Sequence, residues 1–232
     1  MPLKMKKTFL NKLSFYFMPI ISKGDRKYIK EKFEREMEKD VKVVYFTQDF
    51  ECQFCKETRE ILEELKELSN KIKLEIHEFN KEKEIAEKYK VDKIPAILLF
   101  GEKEYGVRFF GIPSGYEFAA LIEDIISVSK GRSNLKEETK EEIRKINKKL
   151  HLQVFVTPTC PYCPSMTHLA HQMAIENENI TADMIEIVEF PHLAHKYNVM
   201  GVPKTVINDK IEIVGSVREE HLLNEIRKAK NL

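Results

Sequence analysis

Short apolar runs rich in β-branched and aromatic residues alternate along this chain with longer amphipathic segments. The runs Val41–Thr47, Ile72–Phe79, Ala96–Phe100 and Gly106–Phe110 read as strands. In the second of them Ile72, Leu74 and Ile76 alternate with polar neighbours, the period of a half-buried strand. Between the runs lie helical patterns. Asp25–Lys39 puts Ile29, Phe33 and Met37 on one face. Cys55–Leu68, Lys83–Lys90 and Ser114–Ser129 follow, with Ser114 and Glu117 in the spacing of a capping box. After the polar stretch Lys130–Asn134 the order recurs. A helix over Leu135–Lys149 precedes a strand over Leu152–Thr157, then a helix over Ser165–Glu176 and a strand over Ile180–Val188. A helix over His192–Tyr197, strands Thr205–Ile207 and Ile211–Gly215, and a helix over Glu219–Lys230 end the chain. Strands alternating with helices and closing on a hairpin predict an α/β fold, a mixed sheet covered by helices on both faces.

The repetition is specific. All four cysteines fall in two Cys-x-x-Cys pairs, Cys52-Gln53-Phe54-Cys55 and Cys160-Pro161-Tyr162-Cys163, each between a strand and a helix. The first cysteines are 108 positions apart (160 − 52). Lys88-Tyr89-Lys90-Val91-Asp92-Lys93-Ile94-Pro95 matches Lys196-Tyr197-Asn198-Val199-Met200-Gly201-Val202-Pro203 at the same offset. Two separate motifs sharing one offset mark a tandem duplication. It divides the chain into an N-terminal unit over 20–131 and a C-terminal unit over 132–232, each long enough for its own core. Residues 1–19 read as a flexible extension. They are basic and apolar like an export signal, but Asn11, Lys12 and Ser14 break the apolar run, and no A-x-A-like site follows.

A cysteine at the start of a helix faces unpaired backbone N–H groups and the positive end of the helix dipole, which favour a thiolate. A second cysteine one turn on can close a short disulfide. The pairs therefore point to thiol–disulfide chemistry at Cys52, Cys55, Cys160 and Cys163. The first cysteine of each pair is expected to be exposed and the second shielded. The rival reading is structural: four thiolates holding zinc, or a redox-inert interaction or chaperone module. The long helical segment after each pair and the matched proline motifs favour redox.

Composition adds exclusions. A net charge of +1 on 232 residues leaves no nucleic-acid footprint. No apolar run is long enough to cross a membrane. Charged residues make up 33%, mostly Lys and Glu, a thermophile-like balance. Cysteines spent only in Cys-x-x-Cys pairs argue against a disulfide scaffold.

A Cys-x-x-Cys at a strand–helix turn, followed by Ile94-Pro95 or Val202-Pro203 before another strand, resembles the thioredoxin and glutaredoxin superfamily. Two such units in a chain of this length resemble the protein disulfide oxidoreductases of thermophilic archaea and bacteria. Gly106-Val107-Arg108-Phe109-Phe110-Gly111-Ile112-Pro113, Glu117-Phe118-Ala119-Ala120 and Phe155-Val156-Thr157-Pro158-Thr159-Cys160 carry that likeness. The resemblance implies two tandem thioredoxin-fold units, each a central mixed β-sheet flanked by helices. It implies nucleophiles at Cys52 and Cys160, resolving cysteines at Cys55 and Cys163, and cis bonds at Pro95 and Pro203. The backbone of Ile94, Pro95, Val202 and Pro203 would bind an extended substrate segment. It further implies reduction, oxidation and isomerisation of cytoplasmic protein disulfides, no bound cofactor, and recycling by a thioredoxin-reductase-like flavoprotein.

Two departures stand out. Six residues before the first cysteine, where thioredoxins carry a buried Asp, stand Phe46 and Val154. Where glutaredoxins grip glutathione, the chain has Val214-Gly215-Ser216-Val217-Arg218, which argues against a dedicated glutathione site. His168 with His171, and His192 with His195, are spaced three apart but lack a third metal ligand, so they read as surface or groove histidines. Phe109 and Phe110 read as strand core.

Overall fold

The computed structural model describes residues 19–230. The N-terminal extension, apart from Pro19, lies outside the described residues. The first unit runs α1 (Lys23–Glu36), β1 (Val41–Thr47), α2 (Cys55–Leu68), β2 (Ile72–Glu78), α3 (Lys83–Lys88), β3 (Ala96–Phe100), β4 (Glu104–Phe110) and α4 (Glu117–Lys130). The second runs α5 (Glu137–Arg144), β5 (Leu150–Val156), α6 (Cys163–Glu176), β6 (Ile180–Glu186), α7 (Pro191–Lys196), β7 (Lys204–Ile207), β8 (Ile211–Val214) and α8 (Glu219–Lys230).

The units do not keep separate sheets. One eight-stranded sheet runs β2-β1-β3-β4-β6-β5-β7-β8. Parallel pairing of β4 with β6, Val107 opposite Ala182 through Phe110 opposite Ile185, makes the join. Strand alternation sends Val43, Tyr45, Leu152 and Val154 to the face carrying the long helices. Val44, Phe46 and Phe155 go to the other face, with Ala86, Phe190 and Tyr197. Phe109 and Phe110 are fully buried, one on each face, each stabilising by roughly 2–3 kcal/mol.

A buried charge cluster pins the join. Arg108 on β4 donates two hydrogen bonds to Asp183 on β6, at 2.6 and 2.8 Å, and His151 on β5 meets the same carboxylate at 2.6 Å. Burial alone would raise the Asp183 pKa. Arg108 and His151 more than offset it and hold the carboxyl well below its ordinary range.

Helix α5 is much shorter than the predicted Leu135–Lys149. The Asn177 side-chain amide donates to the carbonyls of Ile143 and Ile146, at 2.6 and 2.8 Å. These are acceptors that a longer helix would use, and the last turn tightens to an i→i+3 bond, Ile146 N–H to Ile143 O. At α4 the expected capping box is absent. Tyr116 is the N-cap and makes no side-chain cap bond.

Candidate active sites

Each cysteine pair sits where a strand of the sheet gives way to a long helix. Both are closed as disulfides, Cys52–Cys55 and Cys160–Cys163, with Cα atoms 5.5 Å apart. The helices begin at the second cysteine of each pair, so the first precedes the helix rather than opening it. Cys163 is fully buried and Cys55 nearly so, in line with shielding of the second cysteine. The expected exposure of the first cysteine needs correction at the second site. Cys52 is half-buried, but Cys160 is 7% exposed. Its Sγ lies 3.7 Å from the Val202 carbonyl oxygen, so the loop before Pro203 covers it.

Ile94–Pro95 and Val202–Pro203 are both cis. Contact between the cysteine and the residue before the cis-proline thus exists at the second site. At the first, Pro95 precedes Ala96, which pairs with Phe46 at the β1 end that leads into the Cys52 loop.

Sheet register corrects the alignment of the units. Phe46 opposes Ala96, whereas Phe155 opposes Lys204. The strands are therefore offset by 109 (155 − 46), although the cysteines and prolines keep 108. The loop before Cys52 is one residue longer, and Glu51 within it takes a left-handed φ of 51°. Counting back six residues consequently compares different positions. The structural counterpart of Val154 is Tyr45, not Phe46. Tyr45 is buried behind α2, and its hydroxyl donates to the Cys55 carbonyl at 2.6 Å. Burial raises its pKa.

The second site has a carboxyl that the sequence reading assigned to a cap. Glu117 is 1% exposed, and neither carboxylate oxygen has a hydrogen-bond partner among the described residues. Thr167, one helical turn after Cys163, is equally buried and neighbours it. Burial, with Asp124 adding a like charge, pushes the Glu117 pKa up to about 8. The first turn of α4 is seated on the loop before Cys160, for Tyr116 N–H donates to Pro158 O at 3.0 Å. Gly115, at φ 59°, permits that approach; a Cβ there would lie 2.3 Å from the same oxygen. The sequence signal for this group was one acidic residue in the first turn of a strongly apolar helix.

Of the pair His168 and His171, read as surface or groove residues, His171 is fully buried and His168 is partly exposed. They lie on α6 and both hydrogen-bond through Nδ1 to the buried Asp124 of α4, at 2.5 Å each. His171 also reaches the Arg108 carbonyl. Burial would lower the His168 pKa, but Asp124 outweighs it and raises it. His192 and His195 are exposed, as expected. Among the described residues no group of three or more His, Cys, Asp or Glu is placed to hold a metal ion. No described helix is long and apolar enough to cross a membrane.

Comparison with known proteins agrees with this geometry. The thioredoxin family profile matches residues 26–124, and a thioredoxin domain profile matches 150–228. A protein disulfide oxidoreductase from Aeropyrum pernix K1 superposes with a TM-score of 0.86 at 31% identity, covering 91% of this chain and 94% of that one. A variant of the alkylhydroperoxide reductase AhpF of Enterococcus faecalis superposes at 0.81 with 26% identity, over 88% of this chain and 97% of that one. Among curated relatives, the F component of the Staphylococcus aureus alkyl hydroperoxide reductase is 34% identical over 46% of this chain. An NADH dehydrogenase of Bacillus subtilis is 28% identical over 70%. The chain spans only 20% and 30% of those two relatives' lengths. With two Cys-x-x-Cys disulfides at helix starts, two cis-prolines and a likeness to the Aeropyrum protein along nearly its whole length, the chain belongs to the protein disulfide oxidoreductases of tandem thioredoxin fold.

Proposed function

We propose that this chain exchanges disulfides with protein substrates at two sites, one in each of the units 20–131 and 132–232. The observation that carries this reading is the placement of each bonded cysteine pair at the start of a long helix, with its second cysteine buried. Cys52 and Cys160 are the nucleophiles. In the reducing direction the thiolate attacks a substrate disulfide, and one substrate sulfur leaves and takes up a proton. Cys55 or Cys163 then loses its proton and attacks the mixed disulfide. The enzyme disulfide closes and the second substrate thiol is released. Oxidation is the same sequence reversed, and a stalled mixed disulfide permits isomerisation. Ile94, Pro95, Val202 and Pro203 supply the backbone against which an extended substrate segment lies. At the second site the ionised form of Glu117 accepts the proton that Cys163 gives up, burial having raised its affinity for a proton.

Electrons come from another module. The relatives named as reductase or dehydrogenase carry most of their length outside the part that this chain matches, which is 20% of one and 30% of the other. In this proposal a thioredoxin-reductase-like flavoprotein in the cytoplasm supplies the electrons; the reductase and dehydrogenase names of those relatives support a reductive source in general. The test is insulin reduction by Cys52→Ser/Cys55→Ser and Cys160→Ser/Cys163→Ser proteins, alongside thiol counting and metal analysis of the parent. Activity in at least one variant, with all four cysteines of the parent titrating as thiols on reduction, supports exchange. Inactive protein carrying stoichiometric zinc would establish the structural reading instead.

A further inference from the structure

The join between the units places a carboxyl of the second unit beside the segment that holds the cis-proline loop of the first. Glu189 lies in the turn between β6 and α7. Its Oε1 accepts from the Ile112 N–H at 2.6 Å, just past the end of β4. Gly111, with φ 93°, makes room for it; a Cβ there would meet Glu189 Oε1 at 2.8 Å and Glu186 Cβ at 2.6 Å. Gly111 in turn donates its N–H to the carbonyl of cis-Pro95, at 2.9 Å. The carboxyl is therefore one residue from the proline loop of the first site. It also lies within electrostatic reach of α2 and β1. Glu57, two residues after Cys55, acts on Glu189, and Glu189 acts on Tyr45, whose hydroxyl is held on the Cys55 carbonyl.

We propose that Glu189 is the positioning group that sets the ionisation of Cys52 and Cys55, so that the first site's proton balance depends on a residue lent by the second unit. This rests on the reading of Cys52–Cys55 as an exchange site. The duplication does not supply such a group twice. Residue 81, at the equivalent offset of 108, is a lysine, and it follows β2 at the outer edge of the sheet.

The groups facing Glu189 are few. Glu186 on β6 is turned into its own turn, accepting from the N–H groups of Val188 and Glu189. Glu57 comes from α2 and Tyr45 from β1, and Arg59 of α2 acts on Tyr45. Burial, partly offset by the Ile112 N–H and reinforced by Glu186 and Glu57, lifts the Glu189 pKa to about 7. Below that pH the neutral carboxyl leaves the positive start of α2 uncompensated, and a thiolate there is favoured. Above it the carboxylate opposes a thiolate, and it accepts the proton that Cys55 releases when its sulfur displaces the substrate from Cys52.

The test uses full-length, reduced protein with Cys160→Ser/Cys163→Ser, so that only the first site titrates. Thiolate absorbance against pH reads ionisation whether or not the site turns over substrate, and insulin reduction by the same protein judges the exchange reading separately. The parent is expected to titrate in two steps, one near pH 7. Glu189→Gln, which can still accept from Ile112, should give a single step and raise the thiolate fraction at pH 8 by about threefold, half a pKa unit. Glu189→Asp keeps the charge and should keep both steps. In the Cys52→Ser/Cys55→Ser background Glu189→Gln should leave Cys160 unmoved. Superimposable parent and Gln curves, loss of the step in Asp and Gln alike, or an equal shift at both sites would overturn the proposal.

Discussion

The two active sites share a plan and differ in everything around it. At the second, Pro161 fixes its own φ just before α6, Tyr162 is exposed, and Met200 beside the cis-proline loop is 88% exposed. At the first, the loop before the cysteine is a residue longer and carries Asp49 and Glu51. The counterpart of Met200 is Asp92, a charged residue paired with Lys93. The buried wall differs as well: Tyr45 backs the first pair, Val154 the second. Duplication thus preserved what the exchange step needs, a helix start and a cis-proline. Surroundings that set ionisation and partner choice diverged. An apolar rim favours extended apolar substrate segments, whereas a charged rim favours a more selective partner.

The sharpest way to break this comparison is to silence one site at a time. Near neutral pH the Cys160→Ser/Cys163→Ser protein should lose roughly tenfold or more of its insulin-reducing rate, and Cys52→Ser/Cys55→Ser much less. Two carboxylates before Cys52 disfavour its thiolate. Equal losses would remove the hierarchy, and loss in both would indicate that electrons pass between the sites.

The next effect concerns what both sites share, the join. Arg108→Leu should destabilise the protein by about 3–5 kcal/mol in denaturant unfolding, because it strands the Asp183 charge. Asp183 has a depressed folded-state pKa, so its contribution is present above the unfolded carboxyl range and lost as pH falls below it. The Arg108→Leu deficit should therefore be large at pH 7 and shrink on acidification. A deficit independent of pH would mean that packing, not charge pairing, is at stake.

Glu117 sharpens the contrast with the opposite sign. Its raised pKa means that folding binds a proton more tightly, so it costs nothing below the unfolded range near pH 4.5. The cost then grows until about pH 8. Glu117→Gln should stabilise by roughly 2 kcal/mol at pH 8.5 and by almost nothing at pH 4. It should also slow exchange at the second site alone. A stability change flat across pH would show that Glu117 is already ionised in the folded protein.

The smallest change probes the rim. Met200→Asp, copying the first site, should raise KM for an apolar protein substrate by about threefold to tenfold, on the order of 1 kcal/mol, with kcat little altered. An unchanged KM would place substrate docking elsewhere.

How far the residues alone foretold this architecture depends on the range of the interactions involved. Helices α2 and α8 follow the sequence pattern to the residue, since local periodicity and local breakers define them. The cis-prolines followed from a family motif that recurs at one offset. What escaped was non-local. The truncation of α5 needs Asn177, which arrives from beyond α6. The fate of Glu117, His168 and His171 depends on α4 packing against α6. His168 and His171 have the spacing of surface neighbours on one helix, and only the buried Asp124 of the other helix gives them a reason to face inward. The one-residue loop difference was hidden because cysteines and prolines keep the same offset on either side of it. Register within the sheet exposes it.

The pairing of β4 with β6 has a consequence for assembly. In the repeat, β4 corresponds to β8 and β6 to β2, so the join is heterologous: one kind of edge meets the other kind. A head-to-tail contact of that sort is not self-complementary, and unless its rotation closes into a ring it propagates. It leaves at the ends of the sheet one edge of each kind, β2 and β8, the same complementary pair that meets in the middle. Nothing in backbone geometry forbids a further copy from adding there. The side chains and lengths of the edges do: β2 carries the exposed Lys73 and the half-exposed Glu75, each in an ion pair, and β8 is only four residues long. The interior join, by contrast, has the Arg108–Asp183 clamp and two buried phenylalanines. Among the described residues, charge at one edge and brevity at the other stand where a fibre-forming arrangement would add its next copy.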